Sequence, residues 1–214
     1  MTRAILFDFD GTLADTAPGI VLTMQKTFAA MGLPEPAPAA IRATIGLPLR
    51  ECVRLLGGLD EDAAEAGAAT YRSLFPVYEL GRVGIFPGVP QTLELLARRG
   101  YRMAVCTSRN KFSLDSLLQR HGLQHFFDAV VTGDTHPHRP KPAPDMALFL
   151  MERLAAGGET TWVVGDTTFD IDMGNNARCT TVAVTYGNHS RERLRAAGPD
   201  HMIDRFGDLA DLLP

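Results

Sequence analysis

The chain has 214 residues, 45% of them hydrophobic, and a formal net charge of −4 from 21 basic and 25 acidic side chains. This size suits one large domain or a core with an insertion, and the charge balance gives no basic surface for nucleic acid or anionic membranes. No apolar run approaches the length of a membrane span, and Cys52, Cys106 and Cys179 form no CxxC pair typical of a zinc site. We therefore expect a cytoplasmic protein with reduced cysteines and neither nucleic-acid nor membrane partners.

Short apolar runs alternate with helical patterns along most of the chain. The apolar runs are Ala4–Phe7, Met103–Cys106, Ala129–Val131, Trp162–Val164 and Val182–Val184. Helical patterns lie between the later runs, at Gln91–Arg99, Lys111–Arg120, Pro144–Leu154 and Asp170–Arg178. This alternation predicts an α/β fold with a doubly wound, mostly parallel, Rossmann-like sheet.

Residues 14–82 interrupt the alternation. They show no convincing strand pattern, and helices are predicted at Gly19–Met31, Ile41–Ile45, Leu49–Leu56 and Asp62–Tyr78. We expect an all-helical cap domain over residues 14–82, inserted into a catalytic core formed by residues 1–13 and 83–214. The glycines and proline between Gly81 and Gly88 would form the return hinge.

Polar side chains follow the predicted strands, at the carboxyl ends where ligands bind in doubly wound sheets. Asp8 and Asp10 come directly after the first strand, and side chains two apart in a strand point the same way. Their repulsion requires compensation, which a divalent cation and a lysine would supply. Hard oxygen ligands favour Mg²⁺. The later strands are followed by Thr107-Ser108-Arg109-Asn110, Thr132-Gly133-Asp134, Lys141, and Gly165-Asp166 through Asp170.

This set of motifs resembles the haloacid dehalogenase superfamily over nearly the whole chain. The first motif is Asp8-Phe9-Asp10-Gly11-Thr12, the second is Thr107, the third is Lys141 and the fourth runs from Gly165-Asp166 to Asp170. The helical cap, Thr185-Tyr186-Gly187 and the ending Ala197–Leu212 are similar to the phosphoglycolate phosphatase branch. Two positions depart from the usual pattern. Ala177-Arg178 stands where an Ala-Gly pair is common, and Arg109 would make the phosphate rim more basic.

The resemblance implies roles for the catalytic residues. Asp8 would be the nucleophile that forms an aspartyl phosphate. Asp10 would protonate the leaving oxygen and then activate the hydrolytic water. Lys141 would neutralise charge on Asp8 and the phosphoryl group.

The resemblance also implies a phosphate site and a metal site. Gly11 would let the backbone approach the phosphoryl group, and the hydroxyls of Thr107 and Ser108 would bind it. The Mg²⁺ ligands would be Asp8, Asp166 and the backbone carbonyl of Asp10, with Asp170 orienting Lys141 or a metal-bound water.

Several of these residues also have purely structural interpretations. Thr107 and Ser108 could cap the helix that starts near Lys111, and Asp170 could be a helix N-cap. Lys141 could be a solvated loop lysine, although the surrounding motifs favour the site. Arg50 stands where cap loops often contact substrate, and it could equally be a surface arginine.

His136 and His138 suggest a metal pair, but no third ligand lies near them in sequence, so a loop role is favoured.

These features together predict a magnesium-dependent phosphatase that acts on a small phosphomonoester, with 2-phosphoglycolate as the first candidate. A phosphosugar mutase or a pyrophosphatase on the same core is the alternative. Outside the enzymes, a phospho-accepting receiver or a binding protein would use similar aspartates. A dehalogenase has no role for Asp10, and a phosphonatase would need a cap lysine, for which Lys26 is the only candidate. The sequence does not decide the oligomeric state.

Overall fold

The computed structural model describes residues 2–134 and 139–213. In chain order its strands and helices are β1 (Ala4–Phe7), β2 (Ala14–Asp15), α1 (Ala17–Ala30), α2 (Pro38–Thr44), α3 (Leu49–Gly57), α4 (Glu61–Tyr78), β3 (Gly84–Ile85), α5 (Val89–Arg98), β4 (Arg102–Cys106), α6 (Lys111–His121), β5 (Ala129–Val131), α7 (Asp145–Leu154), β6 (Thr161–Gly165), α8 (Thr168–Asn176), β7 (Thr180–Val184), α9 (Arg191–Ala196), β8 (His201–Ile203) and α10 (Leu209–Leu212).

Six parallel strands form the main sheet in the order β5-β4-β1-β6-β7-β8. The chain builds outward from β1 through β4 to β5, then crosses to the other side for β6, β7 and β8. The strand order therefore reverses beside β1, which is where doubly wound sheets place their ligands. Phe7 is in register with Val105 of β4 and Val164 of β6, so these three strands end level with one another.

Both faces of the sheet are covered, which explains why β1 is continuously apolar. Ile5 and Phe7 belong to the core that includes residues of α5 and α6 and the C-terminal segment. Ala4 and Leu6 point to the opposite face and join the core under α7 and α8. The predicted doubly wound α/β fold is therefore confirmed.

Three short strands were not predicted. β8 adds an outer strand of three residues next to β7. β2 and β3 are two residues each and pair with each other in antiparallel orientation, so a strand does occur within the region predicted to have none. β2 and β3 are too short to give a pattern, and β8 (His201–Ile203) begins with a polar residue and lies between Asp200 and Asp204, so it forms no continuous apolar run.

Helices α1 to α4 lie between β2 and β3, and we call them the helical insert. They enclose a core of their own, formed by residues such as Met24, Phe28, Ile41 and Val53. The β2–β3 ribbon ties together the two chain segments that join the insert to the sheet.

Other sequence expectations concern single residues. The three cysteines are buried and free. Arg178 has a φ of +59°, a left-handed conformation that glycine adopts more easily, which explains why a glycine is common at this position in the family resembled. Among the described residues, no helix is both long and apolar enough to cross a membrane.

Candidate active site

Asp8 and Lys141 form a buried ion pair at the carboxyl end of the central strand. Asp8 follows Phe7 of β1, and its amide donates to the carbonyl of Val164 in β6. Lys141 lies before α7, and its Nζ donates to Asp8 Oδ1 at 2.7 Å and to Asp170 Oδ1 at 2.6 Å. Its side chain is only 1% exposed, so Lys141 is not a solvated loop lysine.

Asp170 has two partners because it lies in the first turn of α8. Its Oδ2 accepts from the amide and the hydroxyl of Thr167, at 3.1 Å and 2.6 Å, while its Oδ1 accepts from Lys141. Thr167 is the N-cap of α8, and Asp170 closes the capping box three residues later. The N-cap interpretation of Asp170 is therefore wrong, although the residue does contribute to capping and so fixes the position of Lys141.

Asp166 follows β6 and is held from three directions. Thr12 Oγ1 donates to its Oδ1 at 3.1 Å, and the amide and Nδ2 of Asn188 donate to its Oδ2 at 2.7 Å and 2.9 Å. Asn188 Nδ2 also donates to the backbone carbonyl of Asp10 at 3.4 Å. Gly11, with φ of +87°, has no room for a side chain, since a Cβ there would lie 2.2 Å from Asp166 Oδ2.

The carboxylates of Asp8, Asp166 and Asp170 offer oxygen atoms that all lie within 4.8 Å of one another. Burial raises the pKa of Asp8 well above its usual range and raises that of Asp166 to about 7. Burial also disfavours the charged form of Lys141, but Asp170 and Asp8 outweigh this effect and raise its pKa. One ammonium cannot balance three buried carboxylates, and a divalent cation with oxygen preference fits this donor set.

The side chain of Asp10 points away from this cluster. Its Oδ1 and Oδ2 accept from Arg109 Nε at 3.1 Å and 3.0 Å, and its Oδ1 accepts from Arg109 Nη2 at 2.5 Å. Arg109 Nη2 also lies 2.6 Å from Glu79 Oε1. The expectation that Arg109 makes the phosphate rim more basic is therefore wrong, since its guanidinium is paired with two carboxylates.

The two hydroxyl residues after β4 have different environments. Thr107 is buried, and its Oγ1 accepts from the amide of Arg109 at 3.2 Å, so its hydroxyl hydrogen remains available. Ser108 Oγ donates to the carbonyl of Gly46 in the insert at 2.7 Å. Neither residue caps α6, because the N-cap is Asn110, whose Oδ1 accepts from the amide of Ser113.

A cavity of about 310 Å³ separates the insert from the sheet edge. Asp8, Asp10, Thr107 and Arg109 line its core side, and Arg50 lines its insert side. Arg50 Nη1 lies 2.5 Å from Glu61 Oε2, and both side chains are more than half exposed. Further lining comes from apolar residues of the insert, among them Ile20, Met24, Ile45, Leu47 and Leu49.

The sequence did not lead us to predict Asn188 or Glu79 as site residues. Asn188 lies four residues after the end of β7 at Val184, so the strand-end rule, extended over the loop after Val182–Val184, would have found it. Glu79 gave no such signal, because it ends a helix far from the sheet in sequence. His136 and His138 lie outside the described residues.

Comparison with known proteins places this geometry in a family. The sequence profile of the haloacid dehalogenase-like hydrolases matches residues 5–184. The chain belongs to the haloacid dehalogenase-like hydrolases. "Probable phosphatase IndB" of Dickeya dadantii (strain 3937) is 38% identical over 213 residues, which cover 98% of this chain and 92% of the relative. The phosphoglycolate phosphatase of Aquifex aeolicus (strain VF5) is 31% identical, with 99% and 96% covered.

Solved structures agree with this membership. The structure of a haloacid dehalogenase-like hydrolase from Bacteroides fragilis has a TM-score of 0.92 at 30% identity, covering 98% of this chain and all of that one (100%). This haloacid dehalogenase-like hydrolase is thus an enzyme of the phosphatase type, in the branch similar to phosphoglycolate phosphatases. The receiver and binding-protein alternatives are excluded by this membership.

Proposed function

We propose that this hydrolase is a magnesium-dependent phosphatase that cleaves a small phosphomonoester through an aspartyl phosphate. The observation that carries the proposal is Lys141, which is buried and bonded to both Asp8 and Asp170 at the carboxyl end of β1. A lysine in that position holds the attacking carboxylate and offsets the charge of an incoming phosphoryl group. Asp8 faces the cavity in which that group would bind.

Two displacements at phosphorus complete the reaction. An oxygen of the Asp8 carboxylate bonds to phosphorus while the bond to the leaving oxygen breaks, and Asp10 gives its proton to that oxygen. Asp10 then takes a proton from water, whose oxygen bonds to phosphorus as the bond to Asp8 breaks. Inorganic phosphate leaves, and both carboxyl groups return to their starting states. Thr107 and the backbone at Gly11 would hold the phosphoryl oxygens. Ser108 can join them only when its bond to Gly46 opens.

Asp8, Asp166 and the backbone carbonyl of Asp10 would hold the metal ion, with Asp170 as a further carboxylate nearby. Asn188 supports this assignment, because it bonds both the Asp10 carbonyl and Asp166 and so fixes two of the three groups. Bound Mg²⁺ would offset phosphoryl charge and orient the group for in-line attack. The side chain of Asp10 takes no part in this ligand set, since Arg109 holds it.

The first substrate to test is 2-phosphoglycolate, which the names of several relatives suggest. A substrate carboxylate needs a cation in the cavity, and Arg50 and Arg72 line it. Each is paired with a glutamate in a largely exposed ion pair. Such pairs contribute little stability, so either arginine can exchange its partner for a substrate anion.

The helical insert would act as the cap domain, which spans residues 14–82 and covers the cavity. The rest of the lining supports a selective role for the insert, because its apolar side chains would contact the body of the leaving group.

A phosphosugar mutase remains the alternative within this family. It would transfer the phosphoryl group of a hexose bisphosphate back to sugar, whereas the phosphatase gives it to water.

Phosphate release from a panel of metabolites tests the proposal, with 2-phosphoglycolate, hexose phosphates, pyrophosphate and an aryl phosphate as substrates. We expect release that requires Mg²⁺ and stops in excess chelator. Full activity in chelator contradicts the metal assignment. Conversion of a hexose 1-phosphate to its 6-phosphate without net phosphate release would identify a mutase.

A further inference from the structure

Arg109 is an almost completely enclosed charge at the junction between the insert and the sheet. Its side chain is 6% exposed, and its guanidinium makes three close contacts with the Asp10 carboxylate. In this structure Arg109 also contacts Glu79, which follows the last helix of the insert and is completely buried.

Helix α4 provides a dedicated face for Arg109. Tyr71, Phe75 and Glu79 follow one another at intervals of four residues, so they line one side of the helix and its end. The Tyr71 hydroxyl donates to Glu79 Oε2 at 2.5 Å, and the guanidinium carbon of Arg109 lies 5.9 Å from the centre of the Phe75 ring. Gly19 of α1 makes room for this arrangement, because a Cβ there would lie 2.8 Å from Glu79 Cγ.

The charges in this group are unequal. One guanidinium faces two carboxylates, Asp10 from the core and Glu79 from the insert. Burial raises the pKa of Glu79 in spite of Arg109, in accord with this excess of acid groups. Arg109 contacts both carboxylates at once, so a shift of Glu79 or α4 changes how the guanidinium is shared between Asp10 and Glu79 and where it lies.

We propose that Arg109 is a positioning residue that links the helical insert to Asp10: Glu79, Tyr71 and Phe75 hold the guanidinium, and the guanidinium sets where the Asp10 carboxylate lies. The inference rests on the proposed function, in which Asp10 protonates the leaving oxygen. Without Arg109 the Asp10 carboxylate loses its fixed direction, and proton delivery suffers. Residues of α4 thus affect the chemical step although they touch no reacting atom.

The decisive property is leaving-group dependence. An alkyl phosphate needs a proton on its leaving oxygen, whereas a dinitrophenyl phosphate expels a stable anion without one. For Arg109→Met we expect the turnover of the alkyl phosphate to fall by about 100-fold, the scale of a lost general acid. The first-turnover burst of dinitrophenol should fall by less than about fivefold, because phosphoryl transfer to Asp8 is intact.

Rescue of the Arg109 variants and a double-mutant cycle with Glu79 distinguish a positioning role of Arg109 from a purely structural one. Arg109→Lys should recover part of the alkyl turnover, and added guanidinium ion should partly restore Arg109→Ala. Glu79→Gln should lower the alkyl turnover by about tenfold with little change in KM, and its effect should disappear in the Arg109→Met background. Arg98→Gln removes an exposed arginine paired with Glu94 on α5 and serves as the matched control.

The outcomes are distinct. Equal losses on both substrates in Arg109→Met would overturn the proposal, as would unchanged rates on both. Circular dichroism and melting temperature identify a variant that fails to fold, and the Glu79→Gln and Arg109→Lys comparisons then decide the question. If the wild-type enzyme released no phosphate from any substrate, the proposed function itself would fail before any variant was compared.

Discussion

Asp166→Asn tests the electrostatics of the carboxylate cluster directly. Asp166 has its pKa raised to about 7 by burial first and by Asp170 second, from an ordinary value of 3.8. A raised carboxyl pKa means that the folded protein binds the proton more tightly than the unfolded chain does. In the metal-free enzyme the contribution of Asp166 to the free energy of unfolding therefore falls as the pH rises from about 4 to about 7. A salt-bridged aspartate behaves in the opposite way, because its contribution is lost as the pH falls.

The size of the effect follows from the same values. At about pH 5 the Asp166 carboxyl is protonated in the folded protein and mostly ionised in the unfolded chain. Because about pH 5 lies roughly two units below the folded-state pKa, proton binding adds about 3 kcal/mol to the free energy of unfolding relative to high pH. At about pH 8 both are ionised, and the contribution vanishes. Burial lowers the pKa of His189 from 6.5 to about 4, so this histidine destabilises the fold as the pH falls below about 6.5. Because both proteins contain His189, its effect cancels in their difference.

The assay is urea unfolding of the wild type and Asp166→Asn in chelator at about pH 8, 6.5 and 5. We expect the free energy of unfolding of the wild type, relative to the variant, to rise by about 3 kcal/mol between the highest and lowest pH. The lost contacts to Asn188 add an offset that does not depend on pH. If Asp166 holds Mg²⁺ as proposed, the ion would compete with the proton and should stabilise the wild type more at the higher pH. A difference that stays within about 0.5 kcal/mol across this range would refute the argument.

Three further variants test the core and the insert. Asp8→Asn should keep the fold and lose turnover, and trapping with beryllium fluoride should give an adduct in the wild type but none in the variant; an adduct retained in the variant would exclude Asp8 as nucleophile. Lys141→Met leaves Asp8 and Asp170 without their cation, so it should lower stability by about 3–5 kcal/mol and slow every substrate alike. Arg50→Ala should instead raise KM for a substrate that carries a carboxylate beside its phosphate and spare an aryl phosphate that has no second anionic group; equal losses in both variants would contradict this division.

Local sequence was sufficient for the parts of the fold and site that depend on neighbours along the chain. β1 is a continuous apolar run that ends at Asp8, and the end of a parallel strand identifies the ligand side of a sheet. Asp166 and Lys141 were predicted from strand ends and motifs. β8 could not be found, because His201–Ile203 begins with a polar residue and stands between two aspartates, so it forms no continuous apolar run.

Features that depend on distant contacts escaped the sequence. The partner of Arg109 on the insert is Glu79, and nothing in either local sequence indicates that a helix end and a strand end meet. Ser108 was predicted as a phosphate ligand or a cap, yet its hydroxyl bonds a carbonyl on the insert, 62 residues away in sequence. Such contacts depend on how the insert packs on the sheet, which a local pattern does not specify.

The hydrogen bond from Ser108 to Gly46 raises the question whether this serine holds the insert on the core or binds the phosphoryl group. The turn at Gly46 lies against the start of α8, where a Cβ at Gly46 would lie 3.0 Å from Phe169 and 3.2 Å from Thr167. The Ser108 bond holds this part of the insert on the core, and one such bond contributes about 1 kcal/mol. If that is its role, Ser108→Ala should raise KM by up to about fivefold and increase amide hydrogen exchange at residues 44–48.

Inhibition by inorganic phosphate then distinguishes a Ser108 that holds the insert on the core from a Ser108 that binds the phosphoryl group. In the proposed function phosphate would contact the core groups, so a serine that only holds the insert on the core should leave the inhibition constant of phosphate within about twofold of the wild type. A serine that binds the phosphoryl group should raise that constant by about tenfold and leave hydrogen exchange at residues 44–48 unchanged. Ser116→Ala is the matched control, because Ser116 lies on α6, the helix that follows Ser108 in the chain, and its exposed hydroxyl donates to the carbonyl of Phe112 within that helix. We expect Ser108→Ala to leave the inhibition constant of phosphate nearly unchanged and to increase hydrogen exchange at residues 44–48, since the hydroxyl hydrogen of Ser108 already has an acceptor on the insert.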